Sequence, residues 1–499
     1  MKVFDDLLDW AYLGAALFAS SSSTVDSYIA NQSPIAKRKL LDNIGPSGST
    51  CHGAKAGVVI ASPRTYDPDY VYTWTRDSAL VFKALIDQYK SGSDTSLRGL
   101  IDDFVASQAR LQNVDNPSGP GTSGGLGEPK FNIDETAYND PWGRPQRDGP
   151  ALRATTIISY ANWLIDNDNS SWVVEHLWPA VELDLDYVSS TWNESTFDLW
   201  EEVHSASFFT TAVQHRALRE GASLGSKIGQ TFSVPHYITQ ADNLLCFLQS
   251  YWNPSDGYIT SNTGGGRTGK DSNSVLTSIH TFDPAAGCDA TTFQPCSDKA
   301  LSNLKAYVDS FRSIYGVNSG VSNTSAVAVG RYAEDIYYNG NPWYLSGFAV
   351  AEQLYDALIV WNAEGFLDVT PTSLAFFQQF SDDVDIGTYA DSTPTFKLLT
   401  NAVKSFADGF IEVNAKYTPP DGSLAEQFDR NNGTPTSATD LTWSYAAALT
   451  AFAARDGFSS PSWGAKGLNV PGGCPNVDEA GYQKPLAALH GSEQQVLQP

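Results

Sequence analysis

Apolar residues recurring at helical spacing, with strand-like alternation almost absent, constrain this chain more than any other feature. In Thr75 to Lys90 the set Val81, Phe82, Leu85, Ile86 and Tyr89 falls on one face, with Lys83, Asp87 and Lys90 on others. The same period predicts helices over Asp148 to Asp166, Trp172 to Trp192, Ser207 to Leu224, Ala300 to Tyr315, Pro342 to Ala363, Thr395 to Tyr417 and Leu441 to Arg455. Between them run long Gly/Asn/Pro/Ser loops, such as Asn116 to Lys130 and Asp256 to Asp271, and in a folded domain loops of that length usually carry function. The expectation is an all-α scaffold with a loop-built site on one face. From about Phe458 the chain turns Pro/Gly-rich and reads as an extended strap or tail, not as a second domain.

Charge and aromatic content narrow the partners. A net charge of −25 without a Lys/Arg cluster leaves nothing to face a phosphate backbone, which argues against nucleic acid. No apolar run is long enough to span a membrane. Many of the 13 Trp and 23 Tyr stand among Gly, Asn and Asp, and flat rings beside polar groups are how a site holds a sugar. The five cysteines, Cys51, Cys246, Cys288, Cys296 and Cys474, allow at most two bridges, and Cys288 and Cys296 bracket a short loop that looks like a local staple. No CxxC pair or HExxH run suggests a metal, and no cofactor is called for. Sequons at Asn31, Asn169, Asn193, Asn323 and Asn432 fit a secreted glycoprotein. Residues 1–24 read as a signal or pro segment with an apolar core from Ala11 to Ala19, although Asp5, Asp6 and Asp9 stand where positive charge is usual.

The strongest chemical signal is Asp198-Leu199-Trp200-Glu201-Glu202, two adjacent acids against a tryptophan. An indole beside a carboxyl withholds water from its charged form, which suits a proton donor. Its best partner is Glu426, in the Gly-led loop Gly422 to Gln427. Two acids on one pocket would make a glycoside hydrolase. Gly121 to Gly125 matches a nucleophile elbow, but no strand precedes it, and Gly264 to Lys270 is followed by Asp271, which would repel phosphate; both read as loops. Tyr70 to Ser78 puts Arg76 and Asp77 at a helix start beside rings, which reads equally as a helix cap with a surface ion pair. Arg331 to Trp343 and Trp142 to Pro150 repeat the theme, so coincidence becomes a poorer explanation.

The segments Tyr72 to Ser78, Gly125 to Asn132, Trp142 to Ala154, Asp198 to Val203, Gly330 to Tyr344 and Gly422 to Arg430, with an inexact match at Thr277 to Pro284, resemble the fungal glucoamylases of glycoside hydrolase family 15. The likeness runs from about Val25 to Cys474, giving a catalytic domain over 25–475 and a tail over 476–499 without a starch-binding domain, so granular starch should be attacked poorly. It implies an (α/α)6 barrel and an inverting, monomeric exo-hydrolase taking β-D-glucose from non-reducing ends of α-1,4-glucans, with α-1,6 links cut more slowly. It further implies Glu201 as general acid and Glu426 as general base. Arg76, Asp77 and Arg331 would grip the terminal glucose between Tyr70 and Trp74, with Glu202 on the next sugar. Tyr138, Trp142, Tyr337, Trp343 and Trp443 would line the pocket, and Leu199 and Trp200 would add backbone and packing contacts. Cys246 would pair with Cys474 and Cys288 with Cys296, leaving Cys51 free opposite Asp42. Phe428 stands where many members have Tyr. Inversion requires the two carboxyls to stand roughly 6.5–9.5 Å apart. The rival readings are another exo-α-glycosidase and a catalytically silent carbohydrate-binding protein of this shape; the presence of both acids with their Arg partners favours an enzyme.

Overall fold

The computed structural model describes residues 24–474. Along them, helices α1 (24–42), α3 (Arg98–Leu111), α5 (Trp178–Thr191), α7 (Val234–Leu248), α9 (Asp298–Ser310) and α11 (Pro394–Tyr417) alternate with α2 (Thr75–Lys90), α4 (Asp148–Asp166), α6 (Phe208–Lys227), α8 (Ser272–His280), α10 (Tyr344–Glu364) and α12 (Thr442–Arg455). Each even-numbered helix packs on the next, and α12 packs back on α2, so six helices close an inner ring. The odd-numbered helices lie outside, α3 on α2 through α11 on α10. Helix α1 completes the outer ring against α12 through the Tyr28–Phe452 edge contact at 6.1 Å and the Asp26–Arg455 ion pair at 2.7 Å. This is an (α/α)6 barrel. Strands among the described residues are pairs of two to four residues in the loops.

Burial on every side explains why the sequence does not announce α8. Helix α2 shows a clean stripe, but α8 is buried from Ser272 to Ile279 and so has no polar face to alternate with an apolar one. Its small polar side chains are satisfied locally: Asn273 donates to Ser207, and Thr277 donates back to the Asn273 carbonyl. Helices α1, α3 and α7 also lie outside the segments the spacing predicts; α3 buries Ser107 and Gln108 within its apolar face. The single helix expected over Trp172 to Trp192 is a turn at Ser170–Trp172, a π-helical turn over Val173–Leu177 and then α5, because Pro179 in the first turn of α5 has no N–H to continue the ladder.

The segment after α12 crosses the far end of the barrel as an extended strap. Ser460 donates to Asp87 of α2. Asp283 then takes four donors on Oδ2: the Ser462 hydroxyl and the N–H groups of Trp463, Gly464 and Ala465, at 2.8, 3.2, 3.0 and 2.8 Å. The Trp463 indole, buried, donates to the Thr281 carbonyl. Cys474 is bonded to Cys246 of α7, Cys288 to Cys296, and Cys51 is free and buried. The apolar core proposed for a signal segment and the tail beyond 475 lie outside the described residues.

Removing the Asp283 carboxylate would leave several strap N–H groups without an acceptor. Asp283→Ala should lower the unfolding free energy by on the order of 3 kcal/mol in urea denaturation and open 459–471 to limited proteolysis, with Asp283→Asn intermediate.

Candidate active site

All six inner helices begin at one end, and the loops that feed them enclose a cavity of about 810 Å³. Tyr70, Trp74, Arg76, Asp77, Trp142, Leu199, Trp200, Glu201, Glu202, Arg331, Tyr337, Trp343, Glu426 and Trp443 all line it. Tyr138 does not: it stands half-buried behind Trp142, with ring centroids 5.8 Å apart. Arg76 and Asp77 are buried in the first turn of α2, so the surface ion-pair reading fails.

Glu201 is presented by a hairpin whose strands, Thr196–Phe197 and His204–Ser205, pair antiparallel. Its organiser is buried Asp198. The Asp198 carbonyl accepts from Glu201 N at 2.8 Å, and its Oδ1 accepts from the N–H groups of Glu202 and Val203 at 2.9 and 3.0 Å. This tight cap holds Glu201 at φ 66°, a left-handed conformation costing a non-glycine residue about 1–3 kcal/mol. Gly143 lets the Trp142 loop close over the turn, since a Cβ there would lie 2.6 Å from the Glu201 carbonyl oxygen.

One oxygen of Glu201 is heavily bonded. Oε1 accepts from Trp74 Nε1 at 2.8 Å, Gln146 Nε2 at 3.0 Å and Arg76 Nη2 at 3.4 Å, whereas Oε2 has no partner among the described residues. A proton on this carboxyl therefore sits on Oε2. The indole serving Glu201 is that of Trp74, not of its neighbour Trp200, whose N–H goes to Asp271 at 2.8 Å. Asp271 also caps α8 through Asn273 N, so the N-cap of an inner helix anchors a wall of the cavity. Trp200 is further wedged between Trp343 and Trp443, with ring centroids at 5.5 and 6.3 Å.

Arg76 reaches Gln146 and Asp148 at 2.8 and 3.1 Å. Burial opposes its charge, but Asp148, Asp77 and Glu201 outweigh it and raise the guanidinium pKa. Burial also lifts Asp77 to about 6, against the pull of Arg76. On the opposite side Arg331 forks onto Asp335 at 2.8 and 2.7 Å and touches Glu202 at 2.9 Å. Glu202 also receives Arg267 at 2.6 Å and Tyr332 at 2.5 Å. Burial works against its charge, yet Arg331 and Arg267 hold Glu202 below the usual carboxylate range. Glu426 lies buried just before the strand Gln427–Phe428, its Oε2 bonded by Ser437 and, at 3.0 Å, by Gln427. Burial raises its pKa, while Ser437, Arg331, Gln427 and the Tyr70 hydroxyl pull it down. Tyr70 in turn shares a 2.8 Å hydrogen bond with Tyr337. Phe428 packs on Tyr344 and Tyr417, 5.0 and 4.7 Å between centroids, so its ring is core material.

Arg76 Nε, Trp142 Nε1 and Trp343 Nε1 are buried without a hydrogen-bond acceptor. Leaving a buried donor unmatched costs about 1–3 kcal/mol, so three of them around one cavity suit a ligand rich in oxygen acceptors. Among the described residues no group of three or more His, Cys, Asp or Glu is placed to hold a metal ion. Sequence reasoning passed over Gln146, Asp148, Asp271, Arg267, Tyr332, Asp335 and Ser437. Gln146 and Asp148 stand in the segment Trp142 to Pro150, where neither was given a role, and Arg267 rides on the glycine loop set aside as a poor phosphate cradle.

Two carboxyls set among arginines and indoles at the mouth of a closed helical barrel are the equipment of a glycoside hydrolase. The chain belongs to the glycosyl hydrolases family 15, whose model matches residues 34–453. It is 61% identical over 465 residues to glucoamylase-1 of Schizophyllum commune, covering 93% of this chain and 80% of that protein. It is 54% identical over 460 residues to a glucoamylase of Neurospora crassa, covering 92% and 73%. The solved family 15 glucoamylase of Hypocrea jecorina superposes with a TM-score of 0.89 at 57% identity, covering 90% of this chain and 76% of that one.

The Asp198 cap generates a direct test. Asp198→Ala should lose about 1–3 kcal/mol in urea denaturation through unmatched N–H groups, and Asp198→Asn, which keeps an acceptor, should lose less.

Proposed function

We propose that the protein is a secreted exo-acting glucan 1,4-α-glucosidase that removes β-D-glucose by inversion from non-reducing ends of starch, dextrins and malto-oligosaccharides. The observation that carries this reading is the convergence of Glu201 and Glu426 on one cavity with Arg76, Asp77 and Arg331. The family relatives named glucoamylase support the substrate class. The two disulfides suit an extracellular protein, and no helix among the described residues is long and apolar enough to cross a membrane.

In the reaction Glu201 donates its Oε2 proton to the glycosidic oxygen as the C1–O bond breaks. Glu426, ionised, takes a proton from a water whose oxygen bonds to C1 from the opposite face. The leaving sugar departs as an alcohol, and the two carboxyls regain their starting states by proton exchange with solvent. Asp77 accepts from hydroxyls of the terminal glucose and Arg76 and Arg331 donate to them. Glu202, fixed as an anion by Arg331 and Arg267, binds the neighbouring sugar and holds no proton to give.

Glucose release from maltodextrin tests the assignment. Glu201→Gln and Glu426→Gln should each lose about 10²–10⁴-fold in kcat with KM little changed, and wild-type rates in either would remove that residue from the mechanism. The Ser437 bond favours the charged form of Glu426, so Ser437→Ala should raise its pKa. A base works ionised; the acidic limb of kcat/KM should therefore move up by about half a pH unit, lowering activity at acid pH and leaving it unchanged above the limb.

A further inference from the structure

Lys130 is buried to 2% exposure, and its side chain makes no ion pair or hydrogen bond among the described residues. Its ammonium lies instead among four rings, 3.6 Å from the Trp142 centroid, 4.1 Å from Tyr138, 4.2 Å from Tyr72 and 4.7 Å from Trp74. Those rings touch in a closed circuit, Tyr72 to Tyr138 at 5.1 Å, Tyr138 to Trp142 at 5.8 Å, Trp142 to Trp74 at 5.9 Å and Trp74 to Tyr72 at 6.4 Å. The backbone sets this up, because Lys130 is the antiparallel partner of Trp74 in the pair Thr73–Trp74 with Lys130–Phe131. Taking an ammonium out of water without a carboxylate is unfavourable, and the negative faces of aromatic rings are what offset it here.

Two members of this box belong to the active site. Trp74 donates its indole N–H to Glu201 Oε1, and Trp142 lines the cavity next to Gly143, which abuts the Glu201 turn. Glu201 is also the strongest attraction acting on the Lys130 charge; Asp69 and Asp140 attract it more weakly and Arg144 repels it. Burial brings the Lys130 pKa down to about 8, so it is cationic in neutral and acid solution. Around Glu201 the other charged and titratable groups are Arg76 and Asp77 of α2, with Asp148 behind Arg76, and Tyr70.

We propose that Lys130 is a positioning residue for the general acid: its ammonium holds the four-ring box that aims the Trp74 N–H at Glu201, and its charge attracts that carboxyl. This rests on the reading of Glu201 as the proton donor. Removing a nearby positive charge makes the carboxylate less favourable, so the pKa of Glu201 should rise. An acid works protonated, and its loss of the proton forms the alkaline limb of kcat.

The experiment compares the wild type with Lys130→Met, of similar length and uncharged, and Lys130→Arg, with Lys130→Gln replacing the Met variant if that one does not fold. In the neutral variant the alkaline limb should move up by about half to one pH unit and kcat on maltose at the optimum should fall about tenfold, with KM within about twofold. The Arg variant should keep the limb within about 0.2 units of the wild type. A folded neutral variant whose limb does not move overturns the proposal, even if its activity is lower, because a packing role alone would leave the limb in place. Glu201→Gln run alongside separates the two failures: persistence of the alkaline limb there refutes Glu201 as the donor, whatever Lys130 does.

Discussion

Closure of the inner ring is the constraint on which the rest of the molecule depends. Because α12 packs back on α2, segments far apart in the chain meet, and Trp443 at the start of α12 comes against Trp200 and beneath Arg76, whose guanidinium carbon is 5.9 Å from its ring. The six inner helices begin at one end, so their N-terminal dipoles and unpaired N–H groups converge there. Such an environment favours acids and other oxygen acceptors, and it is where Asp77, Asp148, Glu201, Asp271 and Glu426 stand. No single loop could gather them, since each arrives before or at the start of a different inner helix.

Within that frame the acids are made unequal by their neighbours. Glu201 and Glu202 are adjacent in sequence, yet a left-handed turn at Glu201 sends them to different partners. Glu201 has one oxygen tied to Trp74, Gln146 and Arg76 and the other available. Glu202 is clasped by Arg331, Arg267 and Tyr332 and kept anionic. Glu426 is the most secluded of the three glutamates, 2% exposed, and the bonds from Ser437 and Gln427 only partly offset the burial that lifts its pKa to about 7. Asp198 and Asp335 do not line this cavity, but one shapes the Glu201 turn and the other pins Arg331.

The sequence was informative where structure is local. A helix with one wet and one dry face, such as α11, shows its period, whereas α8, buried all round, does not. Motifs naming Arg, Asp, Glu and Trp together located nearly every wall of the cavity. What could not be read were directions. Trp200 looked like the indole beside Glu201, but the fold turns its N–H to Asp271 and supplies Trp74 from 127 positions away. Tyr138 sits in the right segment but one layer back. Arg267 was hidden because three glycines with positive φ, Gly265, Gly266 and Gly269, make its loop look featureless while shaping the path that carries the guanidinium onto Tyr332 and Glu202.

Inversion requires two carboxyls acting from opposite sides of one sugar, with a water between base and anomeric carbon. Proton NMR of the first glucose released from maltotriose, recorded before mutarotation, reads this directly. The β-anomer should appear first and the α-anomer only as mutarotation proceeds. Initial release of α-glucose would mean a covalent route with retention, and would contradict the role given to Glu426.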